Sequence, residues 1–208
     1  MKNFAVLSLA ILCASCASSP WQDAPLPPKQ IVLKGFLLTP PAEPGWQVNT
    51  RPSPDLLSLA KRNHATDPYE NYAIQAYVLN IATWVKSNED FLRAAKEGKA
   101  INGMPQYKIL KQEINPHMRS GEYCVLSHVV AEDHGKTQLR PYPSFGFGMA
   151  RRLDAMIFEE IQLTCRHPQN KGVAIDLAFS LRYYPGEGDS LFSKKAMRVV
   201  DSVEFTAP

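Results

Sequence analysis

Two strand-like segments that each carry one cysteine constrain the fold of this 208-residue chain more than any other feature. If Cys124 lies directly opposite Cys165 in an antiparallel pair, Leu126 meets Leu163 in the same register. The connection between the strands is then centred on Pro143-Ser144-Phe145, in the most turn-rich stretch of the chain. The sequence therefore predicts a long hairpin whose two strands can be cross-linked.

The first sixteen residues have the pattern of an export signal. The short basic start Met1-Lys2-Asn3 precedes an apolar run, residues 4–12, that is too short to span a bilayer. Residues 12–16 (LCASC) resemble the lipobox of bacterial lipoproteins. The resemblance implies that residues 1–15 are removed as a signal peptide, that Cys16 is acylated, and that the protein is sorted to the outer membrane. Signal cleavage without a lipid is the alternative.

The remaining cysteines form an even pair. An exported chain folds in an oxidising compartment, where Cys124 and Cys165 are left once Cys13 is removed and Cys16 is acylated. We predict a disulfide between them, which would close a loop of about 42 residues and contribute roughly 4 kcal/mol on a loop-entropy model. Two separate buried thiols are the alternative. The spacing fits neither a redox CxxC motif nor a zinc-type cysteine pair.

Composition indicates one globular domain on a tether. Apolar residues make up 45% of the chain and charged residues 21%, which is typical of a folded domain. The formal charge of +3 is too small to indicate nucleic-acid binding. The proline-rich segment after Cys16 predicts an extended tether over residues 16–30, reaching roughly 40 Å from the lipid. Residues 31–208 are then a single α+β domain.

Periodicity predicts an antiparallel sheet of about six strands with two helices. Ser87 and Asp90 predict a capping box at the start of the first helix, which ends near Gly98. Apolar residues at helical spacing, Leu191 among them, predict a second helix from Asp189 or Ser190 to about residue 200. The strand-like segments are 31–38, 46–48, 57–61, 69–81, 107–114, 122–132, 156–166 and 173–184. The last four form a C-terminal meander.

This order of elements resembles the PsbP-type fold. The resemblance is carried by Pro44-Gly45-Trp46, the strand over 72–81, the helix after Ser87, the long meander and the amphipathic last helix. The fold occurs in lumenal photosystem II accessory proteins and in Mog-type Ran-binding proteins. The resemblance covers residues 44–205 and implies an antiparallel sheet flanked by helices. Because members of these families mostly bind or assemble other proteins, it also implies a binding role.

The sequence contains no motif that indicates catalysis, a metal or a cofactor. There is no G-x-S-x-G, H-E-x-x-H or phosphate-binding glycine loop. Glu132-Asp133-His134 is the nearest cluster of metal-ligand types, but neighbouring strand residues point to opposite faces and cannot easily share one ion. His128 lies on the face of Cys124, which predicts a hydrogen-bonded, partly buried histidine. We predict no catalytic residues, no metal and no cofactor.

One segment, residues 138–152, combines aromatic side chains with arginines, as contact surfaces do. We predict that this loop contacts a protein partner. The alternative is that the loop folds back and buries its aromatic residues on the sheet. The predicted contact residues are Arg140, Tyr142, Phe145, Phe147, Met149 and Arg151.

Taken together, these features predict an outer-membrane lipoprotein that faces the periplasm and has a non-catalytic binding or accessory role. Its expected partners are the membrane, through the N-terminal lipid, and another envelope protein, with no nucleic acid. The alternatives are an envelope enzyme with an unrecognised site and a small-ligand carrier with a pocket between sheet and helix. Convergent titratable groups would favour the enzyme, and an apolar cavity would favour the carrier.

Overall fold

The structure, a computed structural model, describes residues 20–50, 55–64, 67–98, 104–135, 138–140, 151–153 and 155–207. These residues contain two helices, α1 (Asn88–Glu97) and α2 (Phe192–Val200). The strands are β1 (Trp21–Asp23), β2 (Ile31–Leu33), β3 (Phe36–Leu38), β4 (Gln47–Asn49), β5 (Leu56–His64), β6 (Asp67–Asn80), β7 (Tyr107–Arg119), β8 (Glu122–Asp133), β9 (Gln138–Arg140), β10 (Arg151–Leu153), β11 (Met156–Arg166), β12 (Val173–Tyr183) and β13 (Glu204–Phe205).

Eight strands form one antiparallel sheet in the order β1-β4-β5-β6-β12-β11-β8-β7. The predicted C-terminal meander is confirmed, because β7, β8, β11 and β12 are neighbours in chain order, with only β9 and β10 inserted. The sheet has eight strands rather than about six, since the short strands β1 and β4 extend one edge. A separate sheet of three strands has the order β13-β3-β2. The α+β class predicted from the sequence, an antiparallel sheet flanked by two helices, is confirmed.

The predicted hairpin register is confirmed between β8 and β11. Cys124 lies directly opposite Cys165, and Leu126 opposite Leu163. The two cysteines form a disulfide with a sulfur–sulfur distance of 1.99 Å and a Cα–Cα distance of 4.2 Å. Both residues are fully buried. The cross-link therefore joins the two central strands of the meander at the end of the hairpin that lies away from their connection.

The two faces of the eight-stranded sheet carry different helices. Side chains alternate between faces along each strand. The face of the disulfide holds the main core, where Phe179 contacts Phe192 of α2 with ring centroids 5.6 Å apart. The small sheet also packs into this core through Phe36 and Leu38. The opposite face carries α1, and there Phe91 packs with Val125 in a smaller cluster.

The start of α2 is fixed by a polar network on the main-core side. Tyr72 donates a hydrogen bond to Asp189 Oδ2 at 2.7 Å, and Lys195 Nζ lies 2.8 Å from the same oxygen. Burial opposes the charged form of Asp189, but hydrogen bonds from Lys195, Tyr72 and the Leu191 backbone outweigh it and hold the pKa of Asp189 below 3.8. The helix begins at Phe192, later than predicted, so Leu191 lies outside its apolar stripe and is exposed.

The predicted capping box of α1 is confirmed. Ser87 Oγ accepts a hydrogen bond from the Asp90 backbone N–H at 3.0 Å, and Asp90 Oδ2 accepts one from the Ser87 N–H at 3.1 Å. The Ser87 and Lys86 backbone N–H groups hold the pKa of Asp90 below its ordinary value of 3.8. The helix ends before Gly98, as expected. In the described part of the chain, neither helix has the length and apolarity needed to cross a membrane.

Two predicted segments need correction. Residues 31–38 are not one strand but the hairpin of β2 and β3, which turns at Lys34-Gly35 with Gly35 at a φ of 81°. Part of the predicted tether over 16–30 belongs to the sheet. Strand β1 pairs with β4 with Trp21 opposite Asn49, because main-chain groups at the open edge of β4 can accept a further strand.

Strand β7 forms the other edge of the sheet and is mostly exposed. Its pairing with β8 shifts by one residue between Ile109 and Lys111, which indicates a bulge. Pro116 also lies in this strand, where it supplies no backbone N–H. An edge position is the one where a sheet tolerates both irregularities.

Candidate functional site

A cleft of about 180 Å³ lies between α1 and the face of the sheet that carries this helix. We call it the α1 cleft. Its lining comes from the end of β6, the turn before α1, the helix itself, and strands β11 and β12. The lining residues are Leu79, Asn80, Ile81, Ala82, Val85, Phe91, Ala94, Ala95, Gly98, Gln162, Thr164, Ala174 and Asp176.

The cleft exists because α1 changes side-chain size along the face that meets the sheet. Phe91 is 4% exposed and anchors the first turns of the helix on Val125. One turn later the helix presents Ala94 and Ala95 to the cleft, and Gly98, which follows its last residue, completes this wall. Because these residues have small or absent side chains, the second half of the helix leaves space above the sheet.

The floor of the cleft is polar, in contrast to its walls. Thr164 on β11 lies directly opposite Asp176 on β12. Thr164 Oγ1 donates a hydrogen bond to Asp176 Oδ1 at 2.9 Å, and Gln162 Nε2 donates to the same oxygen. Two neutral donors thus orient one carboxylate on the sheet surface beneath the helix. A site with apolar walls and a few oriented polar groups can bind an apolar group and define its orientation.

An aromatic residue and an arginine lie next to the cleft. Trp84 stands in the chain between the lining residues Ala82 and Val85, and it is 48% exposed. The Arg93 guanidinium lies 5.4 Å from the centre of the Trp84 ring. Leu79, at the cleft itself, is also substantially exposed. Exposed tryptophan and arginine beside an apolar cleft are typical of protein-binding surfaces. Sequence reasoning missed these residues, although a tryptophan just before a helix cap was a usable signal.

The predicted contact loop is described only at its two ends. Arg140 on β9 lies directly opposite Arg151 on β10, so the backbone of the loop begins as a short antiparallel pair. The aromatic and methionine residues predicted to contact a partner, Tyr142, Phe145, Phe147 and Met149, lie outside the described residues. Cys16, the predicted acylation site, lies outside them as well. Both assignments therefore stay predictions.

His128 is a hydrogen-bonded, partly buried histidine, as predicted. Its Nε2 atom lies 2.8 Å from Glu159 Oε1 on the neighbouring strand. Tyr183 donates a hydrogen bond to the other oxygen of Glu159 at 3.2 Å. Burial, with the negative charge of Glu159 and this hydrogen bond, raises the pKa of Tyr183 to about 12. His128, Glu159 and Tyr183 thus connect the adjacent strands β8, β11 and β12 through hydrogen bonds between their side chains.

The cluster Glu132-Asp133-His134 divides between the two faces. Glu132 Oε2 lies 3.2 Å from Lys108 Nζ and 3.1 Å from His134 Nε2, and these two partners hold the pKa of Glu132 below its ordinary value. Asp133 is buried on the α1 face, where its carboxylate lies 2.8 Å from the Arg182 guanidinium. Across the described residues, no group of three or more histidine, cysteine, aspartate or glutamate side chains could hold a metal ion.

No protein-family model and no curated protein sequence matches the chain. Several solved structures are similar to it. A point mutant of the protein Mog1 has 12% identity and a TM-score of 0.47, covering 86% of this chain and 95% of the other. The Ran-binding protein Mog1p of Saccharomyces cerevisiae has 11% identity and a TM-score of 0.46 over the same shares. Cyanobacterial PsbP from Synechocystis has 12% identity and a TM-score of 0.40, covering 93% and 97%.

Proposed function

We propose that this chain is a lipid-anchored protein of the bacterial outer membrane with a non-catalytic binding role towards another envelope protein. The observation that carries the binding role is the composition of the α1 cleft. Among the described residues that line it, Asp176 is the only titratable one. Thr164 and Gln162 donate hydrogen bonds to Asp176 Oδ1 and orient this carboxylate on the sheet. One oriented carboxylate between apolar walls supports recognition of a partner.

The size of the cleft favours a protein partner over a free ligand. Its volume is about 180 Å³, whereas pockets that enclose a small molecule measure roughly 300–1,000 Å³. A cleft of this size suits one large apolar side chain of a partner. The neighbouring Trp84 and Arg93 are residue types that contribute most binding energy at interfaces. The partner therefore inserts an apolar anchor beside Trp84.

Site-specific crosslinking in living cells tests the binding role. The photoreactive residue benzoylphenylalanine replaces Leu79 at the cleft in one full-length variant and Met118 on β7 in a control, because Met118 is 61% exposed. We expect a protein adduct from position 79 and none from position 118. Ala95→Phe fills the cleft and should abolish the adduct without lowering the melting temperature. An adduct that survives Ala95→Phe contradicts the assignment, and a small molecule co-purifying in the cleft would indicate a carrier.

The anchor has its own test, since the support for it is the lipobox-like segment that ends at Cys16. Mass spectrometry of the mature N-terminal peptide should find Cys16 as the first residue, carrying acyl chains that hold the protein stably in the membrane. Cys16→Ser should release the protein into the soluble periplasmic fraction. An unmodified Cys16 rules out the lipid anchor but leaves the binding role of the cleft untouched.

The loop over residues 138–152 supplies a second candidate contact. If it binds the partner, replacing Tyr142, Phe145 and Phe147 by serine should abolish adduct formation at position 79 and leave stability nearly unchanged, because exposed side chains contribute little to folding. If these aromatic residues are packed on the sheet, each substitution should cost roughly 3 kcal/mol or more. A large loss of stability with normal crosslinking would remove the loop from the interface.

A further inference from the structure

A second cavity, of about 280 Å³, lies where the chain enters the fold. We call it the N-terminal groove. The segment after β1 and the β2 strand form one wall, and strands β4 and β5 form the other. Most of its lining is apolar. The lining residues are Ala24, Pro25, Lys29, Ile31, Val32, Leu33, Pro40, Val48, Asn49, Thr50, Leu56, Leu57 and Leu59.

Large apolar side chains are exposed at the mouth of this groove. Val32 is 70% exposed and Leu56 is 41% exposed, and both line it. Leu26, next to the lining residue Pro25, is 53% exposed. The exposed Lys29 also lines the groove, and Lys34 is exposed in the β2–β3 turn. Apolar side chains flanked by lysines are the combination that binds the interface of an anionic bilayer.

The groove lies close to the proposed lipid anchor. Strand β1 is fixed to the sheet edge, and the Thr50 N–H donates to the Pro20 carbonyl oxygen at 2.7 Å. Thr50 itself lines the groove. Only residues 17–19 separate Cys16 from Pro20. Even fully extended, this connection reaches only ~14 Å at ~3.5 Å per residue. Acylation of Cys16 would therefore keep Pro20, and the groove beside it, within ~14 Å of the acylated cysteine at the bilayer surface.

We propose that the N-terminal groove rests on the membrane, with Val32, Leu56 and Leu26 at the boundary of headgroups and acyl chains and with Lys29 and Lys34 against anionic headgroups. The orientation rests on the proposed acylation of Cys16. It also directs the opposite edge of the sheet, formed by β7, away from the bilayer. The domain is thus seated on the lipid surface rather than suspended from it.

Depth-dependent quenching tests this orientation. The full acylated chain carries the fluorophore NBD at Val32→Cys, or at Met118→Cys on β7 as a matched exposed control, in vesicles of phosphatidylethanolamine and phosphatidylglycerol. Both sites are exposed, so labelling should not disturb folding. The β7 edge is seven strand spacings from β1, about 33 Å. We expect phospholipids with doxyl-labelled acyl chains to quench NBD several-fold more at position 32 than at position 118.

Three results would overturn the proposal, and they differ from one another. Equal weak quenching at both positions in an acylated chain overturns the orientation alone. A blue-shifted NBD emission at position 32 that is the same with and without vesicles means that the chain itself covers the groove. A mass spectrum without acyl groups on Cys16 overturns the anchor and the orientation with it. The crosslinking at position 79 is independent of all three.

Discussion

The two helices of this protein are held in opposite ways. Helix α2 has no side-chain cap, and its apolar face is buried through Phe192, Ala196, Val199 and Val200. Helix α1 has a complete capping box but buries one residue fully, Phe91. Tertiary packing therefore fixes α2, whereas local hydrogen bonds contribute much of the stability of α1. A helix that packs loosely leaves space beneath it, and the α1 cleft is that space.

The largest effect is expected from removing the packing of α2. Phe192 is 1% exposed and contacts the Phe179 ring, so Phe192→Ala should lower the free energy of unfolding by about 3–5 kcal/mol. Leu191→Ala is the matched control, because Leu191 is 54% exposed one residue earlier. Urea unfolding of both variants measures the difference. Similar losses would mean that α2 does not depend on burial.

The next largest effect concerns the disulfide, which lies in the same core cluster as the buried face of α2. Replacing Cys124 and Cys165 together by alanine should cost about 2–4 kcal/mol, since the link closes a long loop in the unfolded chain. Because both cysteines lie in the main core, the loss should appear as a lower midpoint of global unfolding. If the double variant instead showed faster hydrogen exchange only in α1, with an unchanged midpoint of global unfolding, the disulfide would not stabilise the main core.

A smaller effect is expected at the cap of α1. Ser87→Ala removes the hydrogen bond to the Asp90 backbone N–H and should cost about 1 kcal/mol. Ser190→Ala is the control, because α2 has no side-chain cap. Amide exchange in α1 should accelerate in the first variant, and exchange in α2 should not change in the second. If Ser87→Ala leaves α1 unaffected, packing rather than capping holds this helix.

Low pH should destabilise α1, as the Ser87→Ala substitution does. The pKa of Asp90 lies below 3.8, so its contribution to stability is fully present above the unfolded value and is lost as the pH falls through the folded value. We therefore expect the protection factors of the α1 amides, which correct for the slower intrinsic exchange in acid, to fall below about pH 4, the ordinary aspartate range. Asp90→Asn should remove this pH dependence of exchange in α1. An identical acid response in the variant would assign the effect to other carboxylates.

Local patterns and one long-range pair accounted for most of the fold. Ser87 and Asp90 are three residues apart, and this spacing is the sequence pattern of a capping box. Placing the two cysteines opposite each other predicted the register of β8 and β11. Strand β1 was missed because nothing in a proline-rich segment reveals that β4, more than twenty residues later, leaves an open edge. The Lys34-Gly35 turn carried a usable signal, since glycine favours the positive φ found there.

The candidate site was less accessible to sequence reasoning. A pocket between sheet and helix was among the expectations, but its lining residues could not be named. The α1 cleft depends on how far a helix stands from a sheet, and that distance follows from Phe91 at one end and Ala94, Ala95 and Gly98 at the other. Small residues in a helix are common, so their pattern alone does not indicate a cleft.

Strand β7 has a consequence for how copies of this protein meet one another. A long, regular edge strand offers its free main-chain groups to any other unpaired strand and so promotes aggregation. Pro116 lacks the N–H that such pairing needs, and the bulge between Ile109 and Lys111 interrupts the spacing of the remaining groups. Exposed Lys108, Lys111 and Glu113 add charge along the same edge. The irregularities of β7 thus discourage edge-to-edge pairing between copies of this protein, even where many copies lie close together.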